Sequence, residues 1–326
     1  MQTRTLGRSG PATSAIGLGC MGMSDFYGPA DRDESIATVH AALDQGVTLL
    51  DTGDFYAMGH NELLLRDALR GRPRGSYQLS VKFGAQRGPD GAWLGYDARP
   101  AAVKTALAYS LKRLDTDYID VYRPARLDPN VPIEDTIGAI AEMVKAGYVR
   151  CIGLSEVGAA TVRRAHAVHP IADLQIEYSL ISRSVERAIL PTLRELGIAV
   201  TAYGILSRGL LSERAADAAQ TRGRFPRFQG ENLAHNLSLV EALRAIASDK
   251  RITVPQLAIA WVLARGNDII PLVGARRRER LTEALGALDV TLDANDLARI
   301  ERAVPAGAAR GDRYDAHAMS SLDSEL

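Results

Sequence analysis

The stretch DYIDVYRPARLDPNVPIEDTIGAIAEMVKAGYVRCIGLS (residues 117–155) places one helical pattern between two apolar β-runs. The β-runs are DYIDVYR and YVRCIGLS, and both are rich in aliphatic and aromatic residues. Between them, apolar side chains recur at helical spacing from Ile133 to Ala146. Two strands joined through a helix are typical of a parallel sheet, because a short turn joins antiparallel neighbours instead.

The same order recurs along the chain and makes eight β-then-α units. The other β-runs are SAIGLG, VTLLD, YQLSVKF, ADLQIEY, IAVTAYG and DIIPLVG. The other helical patterns are Asp33 to Gln45, Asn61 to Arg70, Pro100 to Arg113, Ala159 to Val168, Val185 to Leu196, a pattern from about Leu233, and Arg278 to Leu288. Eight such units predict an α/β fold, a (β/α)8 TIM barrel, as a single domain over residues 1–326. A doubly wound sheet is the alternative, but GLGCMG after the first strand lacks the G-x-G-x-x-G spacing.

Three segments fall outside the eight units. QTRTLGRSGPATS (residues 2–14) predicts an N-terminal hairpin. The segment from Ser207 to Asn232 is long for a loop of this kind, so we expect it to be functional. Residues 305–326, which follow an extra C-terminal helix, carry little apolar periodicity. They predict a mobile tail or a loop that orders against another part of the protein.

Charge and composition narrow the possible partners. The chain has 39 basic and 39 acidic residues, so a nucleic acid or an anionic membrane is not indicated. Its two cysteines do not make a disulfide framework, and neither they nor the histidines have metal-site spacing. The opening MQTRTLGRSG has no apolar signal segment. We therefore expect a cytoplasmic protein that acts on a small molecule.

Polar residues close several of the predicted strands, where the active sites of such barrels lie. The second strand ends in Asp51, with Tyr56 in the following loop, and the third ends in Lys82. A lysine near a phenol favours the phenolate and lowers its pKa from ~10. An aspartate behind that lysine would hold it charged and oriented. Such a tyrosine can protonate an oxygen that is gaining negative charge, although a structural salt bridge beside a loop aromatic is the alternative.

Motifs over nearly the whole chain, from about Leu6 to Ala303, resemble those of the aldo-keto reductase family. They are DTGDFY, HNELLLRDAL, VKFG, DYIDVY, IGLSE, QIEYSL, TAYGILSRGLL and GARRRERL. The chain is most similar to the bacterial branch that also resembles the β subunits of voltage-gated potassium channels. The resemblance implies NADP(H)-dependent reduction of aldehydes and ketones. It also implies that Tyr56 is the general acid, with Lys82 and Asp51 as the residues that tune it.

One position departs from the family pattern. The catalytic histidine of the family lies in a motif that resembles QHRVDP, and this chain reads RPARLDP, with Ala125 at that position. The channel β subunits also lack this histidine, so an NADPH-binding regulatory barrel with little turnover is the alternative function. Arg123 shares the side-chain parity of Ala125 on a strand, and we expect it to fill the vacated volume. Arg126 and His60 are further candidates, and a structural role is the alternative for each.

The resemblance also implies the cofactor contacts. Ser155 and Gln175 would hold the nicotinamide carboxamide, Glu156 stands where many members have asparagine, and Tyr203 would stack on the ring. The pyrophosphate would approach Gly204, Leu206 and Arg208. The adenosine end would be bound by Gly274, Arg276, Arg280 and Glu283, while Ala284 replaces a common asparagine. Substrate choice would depend on loops such as Trp93 to Tyr96 and Arg224 to Asn232, and on the final segment.

The basic run GARRRERL can also be interpreted from its charges, without the resemblance. Four arginines gather at the predicted start of the last barrel helix: Arg276, Arg277, Arg278 and Arg280. Cations there oppose the helix dipole, each by roughly 0.3–1 kcal/mol. A bound anion would reverse this penalty, and the 2′-phosphate of NADPH is the candidate. A solvated basic surface is the alternative.

Overall fold

The predicted barrel is confirmed in the computed structural model of the chain, which describes residues 1–24, 26–212, 215 and 222–325. Eight parallel strands close on themselves, with Leu272 of the last strand paired to Gly17 of the first. In chain order the barrel strands are β3 (Gly17–Gly19), β4 (Leu49–Gly53), β5 (Gln78–Phe83), β8 (Ile119–Pro124), β9 (Val149–Ser155), β10 (Ile171–Glu177), β11 (Ala199–Tyr203) and β12 (Ile269–Gly274).

Helices surround the strands and bury one face against them. They are α1 (Arg32–Asp44), α2 (His60–Leu69), α3 (Pro100–Leu114), α4 (Ile133–Lys145), α5 (Ala159–Val168), α6 (Ile189–Leu196), α7 (Gly230–Asp249), α8 (Val254–Ala264), α9 (Arg278–Leu285), α10 (Ala294–Ala303) and α11 (Ala316–Ser320). Side chains cap several N-termini, as when Thr253 accepts from the Gln256 N–H of α8. No helix in the described part of the chain is both long enough and apolar enough to cross a membrane.

Two predicted helices are shorter than expected. The pattern from Val185 to Leu196 divides into a 3-10 turn, Ser184–Glu186, and α6, because Ala188 leaves the helical conformation at φ −132°. The last barrel helix ends at Leu285, and the 3-10 turn Gly286–Asp289 follows it. Apolar periodicity does not distinguish these turns from α-helix, since both keep one face inward.

Two antiparallel hairpins extend the barrel. The predicted N-terminal hairpin is present as β1 (Thr3–Thr5) and β2 (Ala12–Ser14). It carries Leu6, which is fully buried in a small apolar cluster with interior residues of the strands. The second hairpin, β6 (Ala85–Arg87) and β7 (Trp93–Tyr96), was not predicted. The expectation that Trp93 to Tyr96 is a loop was therefore wrong.

The two irregular segments lie at the carboxyl ends of the strands. Residues 312–325, which we call the C-terminal strap, are ordered against the barrel as the sequence allowed. Leu322 is only 1% exposed, and Asp323 Oδ2 accepts from the Gly158 N–H at 2.7 Å. The expected functional loop from Ser207 to Asn232 contains the 3-10 turns Ser207–Gly209 and Pro226–Phe228, while 213, 214 and 216–221 lie outside the described residues.

Candidate active site

The barrel brings Asp51, Lys82 and Tyr56 together at the mouth, as the sequence predicted. Lys82 Nζ donates to Asp51 Oδ1, and both residues are 4% exposed. Asp51 Oδ2 accepts from Ser80 Oγ at 2.8 Å and from Gln175 Nε2 at 2.7 Å. Lys82 Nζ lies 5.1 Å from the centroid of the Tyr56 ring. The acid, the lysine and the phenol thus form one buried group, in which the Asp51 carboxylate is fully hydrogen-bonded.

Tyr56 sits at the start of a strained turn. Ala57 and Met58 have φ of 45° and 52°, in the left-handed region that residues with a Cβ rarely adopt. The Tyr56 ring packs edge-on against Phe55 at 4.8 Å between centroids. This turn fixes the phenol at the mouth, beyond the end of β4.

The expected lowering of the Tyr56 pKa by Lys82 is not what the structure shows. Burial and the nearby Asp51 carboxylate raise the pKa of Tyr56, while the Arg126 guanidinium lowers it in part. Burial likewise lowers the pKa of Lys82, against the opposing effect of Asp51. The positive charge of Lys82 is directed at Asp51, so the phenol is protonated at neutral pH and can act as a donor.

The expectation that Arg123 fills the space beside Ala125 was wrong. The Arg123 side chain is fully buried and pairs with Asp173 at 2.9 Å. It also donates to Ser80 Oγ and Thr201 Oγ1, both at 3.1 Å. Since Ser80 Oγ also donates to Asp51, Arg123 contacts the Asp51 group only through Ser80 among its described hydrogen bonds, and it lies in the barrel interior. Strand parity correctly indicates that the Arg123 side chain points into the barrel. It does not indicate how far from the mouth that side chain lies.

Arg126 is the cation that enters the mouth beside Ala125. Its Nη1 donates to the Ala125 carbonyl at 2.6 Å and to Ser155 Oγ at 3.4 Å. Burial opposes its charge, but Tyr203, Tyr314 and other nearby acidic groups outweigh burial and raise the pKa of Arg126. β8 ends at Pro124, so strand parity does not apply to Arg126. His60 instead bonds Ser24 Oγ at an exposed position.

The residues expected around the nicotinamide are close together at the ends of β9, β10 and β11. Ser155 and Gln175 are buried, and Tyr203 OH donates to Glu156 Oε1 at 2.7 Å. Glu156 is fully buried and adopts φ of 53°. Its main counter-charge is Arg313 of the C-terminal strap, which sequence reasoning missed. No periodicity or motif marks that arginine, because only the folded strap brings it to the mouth.

The loop after β11 combines a glycine in a left-handed turn with a buried arginine. Gly204 has φ of 68°, and a Cβ there would lie 2.8 Å from Glu177 Cγ, so this turn requires glycine. The Arg208 guanidinium stacks over Phe225 at 4.4 Å and over Tyr314 at 4.5 Å. Its Nη2 is buried and has no hydrogen-bond partner among the described residues. An orphaned arginine N–H in a loop of this kind fits a phosphate oxygen.

Three of the four arginines near the start of α9 have partners of different kinds. Arg276 Nη1 donates to the carbonyls of Tyr27, Gly28 and Pro29 at 2.9, 3.2 and 3.1 Å. Arg278 pairs with Glu34, which also accepts from the Arg278 N–H at 2.9 Å. Arg280 pairs with Glu283 at 2.8 Å. Two of these arginines, Arg278 and Arg280, are therefore already paired with carboxylates of the protein. Part of the negative charge that this cluster requires thus comes from the protein itself.

Comparison with known proteins settles the family. The model of the aldo/keto reductase family matches residues 15–305. The chain belongs to the aldo/keto reductase family. It is 40% identical over 321 residues to "Probable aldo-keto reductase 1" of Glycine max, across 96% of this chain and 92% of that protein. This aldo/keto reductase is therefore an oxidoreductase of carbonyl compounds.

Two solved structures resemble this aldo/keto reductase. The glycerol dehydrogenase AKR11B4 from Gluconobacter oxydans is 25% identical with a TM-score of 0.83, over 92% of this chain and 94% of that one. The thermostable aldo-keto reductase Tm1743, solved with the inhibitor epalrestat, is 28% identical with a TM-score of 0.77, over 93% and 100%. Members of the family use nicotinamide cofactors, and the Arg208 N–H, which has no partner in the described part of the chain, fits the phosphate of such a cofactor.

Proposed function

We propose that this protein reduces an aldehyde or ketone to an alcohol with NADPH, and that Tyr56 is the general acid. The observation that carries the proposal is the buried Asp51–Lys82 pair beside the Tyr56 ring. A buried ion pair costs desolvation free energy, so a fold that needed only stability would be as well served by apolar residues. Next to a protonated phenol at the barrel mouth, the pair instead provides a fixed electrostatic environment for proton transfer.

The residues for the cofactor follow from the same ends of the strands. Ser155, Gln175, Glu156 and Tyr203 would surround the nicotinamide, and Gly204, Leu206 and Arg208 the pyrophosphate. Gly274, Arg276, Arg280 and Glu283 would bind the adenosine end, with the arginines selecting NADPH over NADH. When bound, the cofactor supplies the hydride.

The side chains of the protein would orient the carbonyl and complete the reaction with a proton. Tyr56 would donate its hydroxyl proton to the carbonyl oxygen as that oxygen gains negative charge. Lys82 would stabilise the phenolate left behind, since Asp51 keeps the ammonium charged and in place. Arg126 would donate to the same carbonyl oxygen, the role that the family gives to the histidine replaced by Ala125.

The test is NADPH consumption, followed by absorbance, over a panel of aldehydes and ketones. Wild type should turn over repeatedly, and Tyr56→Phe should lose about 10²–10⁴-fold in rate with unchanged NADPH affinity, since only the proton donor is removed. Wild-type rates in Tyr56→Phe would show that Tyr56 is not the acid.

The replacement of the family histidine by Ala125 favours one second candidate, a regulatory barrel that binds NADPH and reports its redox state. Single-turnover measurements separate the two functions. An enzyme releases NADP⁺ and continues, whereas a regulatory barrel oxidises bound NADPH once and retains the product. Retention with every carbonyl in the panel would favour the second candidate.

A further inference from the structure

Arg313 is buried at the barrel mouth although it belongs to the C-terminal strap. Only 6% of the residue is exposed. Its Nη1 donates to Glu156 Oε1 at 2.9 Å, and its Nη2 donates to Glu156 Oε2. Arg313 also lies 3.4 Å from Glu177 and 2.8 Å from Glu325, which is in the strap itself. A two-pronged arginine–carboxylate pair of this kind is strong and directional.

Glu156 collects donors from the barrel and from the strap at the same time. From the barrel, its Oε1 accepts the Glu177 N–H at 2.9 Å and the Tyr203 hydroxyl at 2.7 Å. From the strap, its Oε2 accepts the Ser324 hydroxyl at 2.8 Å. With these bonds made, the Glu156 carboxylate has no oxygen left for an amide of a cofactor. Glu156 thus holds the strap on the barrel.

The strap also reaches the tyrosine at the end of β11. Tyr314 OH lies 3.0 Å from Tyr203 OH, which is the same hydroxyl that donates to Glu156. The position of Tyr203 therefore depends on Glu156 on one side and on the strap on the other. Tyr203 is the side chain that the proposed function assigns to the nicotinamide ring.

The ion pair with Arg313 also determines the net charge at the mouth beside Glu156. Burial raises the pKa of Glu156, but Arg313, together with Arg126 and Tyr203, outweighs burial and lowers it to about 2. Glu156 is therefore ionised, and its charge is cancelled by an arginine that comes from outside the barrel strands. A nicotinamide ring is positively charged when oxidised and neutral when reduced. An uncancelled carboxylate beside the ring would bind the oxidised form more tightly, and an uncancelled arginine would do the reverse.

We propose that Arg313 is a positioning residue of the nicotinamide site: it docks the C-terminal strap on Glu156 and, by cancelling that charge, sets the relative affinities for NADP⁺ and NADPH. The inference rests on the proposed function, which places the nicotinamide beside Ser155, Gln175, Tyr203 and Glu156. It assigns Glu156 to the strap instead of to direct contact with the cofactor.

The decisive measurement is the dissociation constant of each nucleotide, by titration of protein fluorescence, in four variants. They are Arg313→Gln, Glu156→Gln, the double variant, and Arg310→Gln as the control, since Arg310 is an exposed arginine of a neighbouring segment. Arg313→Gln should shift the ratio of affinities toward NADP⁺ by about tenfold, in the lower range measured for close charge pairs. Glu156→Gln should shift it toward NADPH by less, because Glu177 and Glu325 remain near Arg313.

The double variant should return the ratio close to that of wild type, and Arg310→Gln should leave it unchanged. A loss of fold or of packing alone would weaken the binding of both nucleotides equally. It would not shift the ratio of affinities in opposite directions in the two single variants. The proposal would be overturned by an equal ratio of NADP⁺ to NADPH affinity in all variants, or by shifts of this ratio in the same direction in the two single variants.

Hydrogen exchange of residues 312–325 without nucleotide tests the docking separately. Exchange should rise in Arg313→Gln and in Glu156→Gln and stay at the wild-type level in Arg310→Gln. Unchanged exchange in both single variants would overturn the docking role. If wild type bound neither nucleotide, the proposed function would fail, while this measurement would still decide whether Arg313 holds the strap.

Discussion

The ion pairs Arg123–Asp173 and Arg313–Glu156 are both buried, at different depths, and they differ in what holds them. Arg123 of β8 pairs with Asp173 inside the barrel, where every partner belongs to another strand: β5, β10 or β11. Arg313 pairs with Glu156 at the mouth, and its own backbone belongs to the strap. The Arg123 side chain is 0% exposed and that of Arg313 is 6% exposed, so exposure alone does not distinguish them.

The difference lies in what the protein can do when a pair is broken. If Arg123 is removed, Asp173 stays enclosed by the strands, and water reaches it only if the barrel opens. If Arg313 is removed, the strap can lift and water can reach Glu156. The interior pair should therefore govern global stability, and the pair at the mouth should govern local order and the charge of the site.

The largest effect should come from breaking the interior pair. Arg123→Met keeps most of the volume and leaves Asp173 as an unpaired buried charge. We expect the free energy of unfolding to fall by about 3–5 kcal/mol, measured by denaturant titration. Arg313→Gln should cost about 1 kcal/mol, because the partner regains solvent.

Adding Asp173→Asn to Arg123→Met should restore part of the loss, since the unpaired charge is then gone. Equal destabilisation by Arg123→Met and Arg313→Gln would contradict the comparison between the two depths.

The next largest effect concerns the mouth and the role that the proposed function gives to Arg126. Arg126→Met should lower kcat/KM for a reactive aldehyde by about 10²-fold, near the lower limit for loss of one oxyanion donor. Arg126→Lys should retain an intermediate rate because it keeps the charge. Stability should change little in either variant, in contrast to Arg123→Met.

Ala125→His in the Arg126→Met background tests whether the two positions serve the same oxygen. An imidazole there should recover part of the lost rate, since the volume is not occupied by Arg123. No recovery, together with wild-type kcat/KM in Arg126→Met alone, would mean that Arg126 does not act on the substrate.

The sequence predicted the barrel well because its evidence is local. Alternating β-runs and helical patterns require only neighbouring residues, and the positions of Asp51, Lys82 and Tyr56 follow from where strands end. Depth inside the barrel and contacts over long separations are not local. Strand parity therefore could not separate Arg123 from the site, and nothing near Arg313 in the sequence indicated Glu156, 157 residues away.

The direction in which the Tyr56 pKa shifts could not be predicted from the sequence either. A lysine next to a phenol suggests a lower pKa, but the extent of burial and the pairing of Lys82 with Asp51 decide the outcome. Both depend on packing across several strands. The same is true of Arg276, whose partners are three carbonyls of a loop about 250 residues earlier in the chain.

A partly buried carboxylate that bonds no arginine in the described structure sharpens the comparison. Asp54 Oδ1 is buried without a partner in the described structure, and the nearby Arg113 donates to Glu62 instead. Burial and the Glu62 charge raise the pKa of Asp54 to about 7. In the unfolded chain this pKa is ~3.9, so between these values the folded state binds a proton that the unfolded state does not. The contribution of Asp54 to stability is therefore complete below about pH 4 and is lost as the pH rises to about 7.

Asp54→Asn should remove this loss, since the amide does not ionise and carries no charge at either pH. We expect the variant to match wild type near pH 4 and to exceed it above pH 7 by on the order of 2 kcal/mol, reduced from the full pKa effect by partial exposure. Denaturant titrations at both pH values provide the measurement. Asp33→Asn, at a side chain that is 96% exposed, is the control and should show no such gain. A parallel pH dependence of wild type and Asp54→Asn would exclude this carboxyl as the source.

The smallest effect should appear at the far end of the proposed cofactor site, where the charges are most exposed to solvent. Arg276 is already oriented by the carbonyls of residues 27–29, so a 2′-phosphate would meet a guanidinium that has lost part of its freedom. Arg276→Ala should weaken the binding of NADPH by about tenfold, or ~1.4 kcal/mol, and leave the binding of NADH unchanged. Arg277→Ala is the matched control, since Arg277 is an exposed neighbour just before α9. An equal loss for both nucleotides in Arg276→Ala would mean that the arginine only supports the loop. In that case the charge specificity of the site would lie wholly at the mouth, with Glu156 and Arg313.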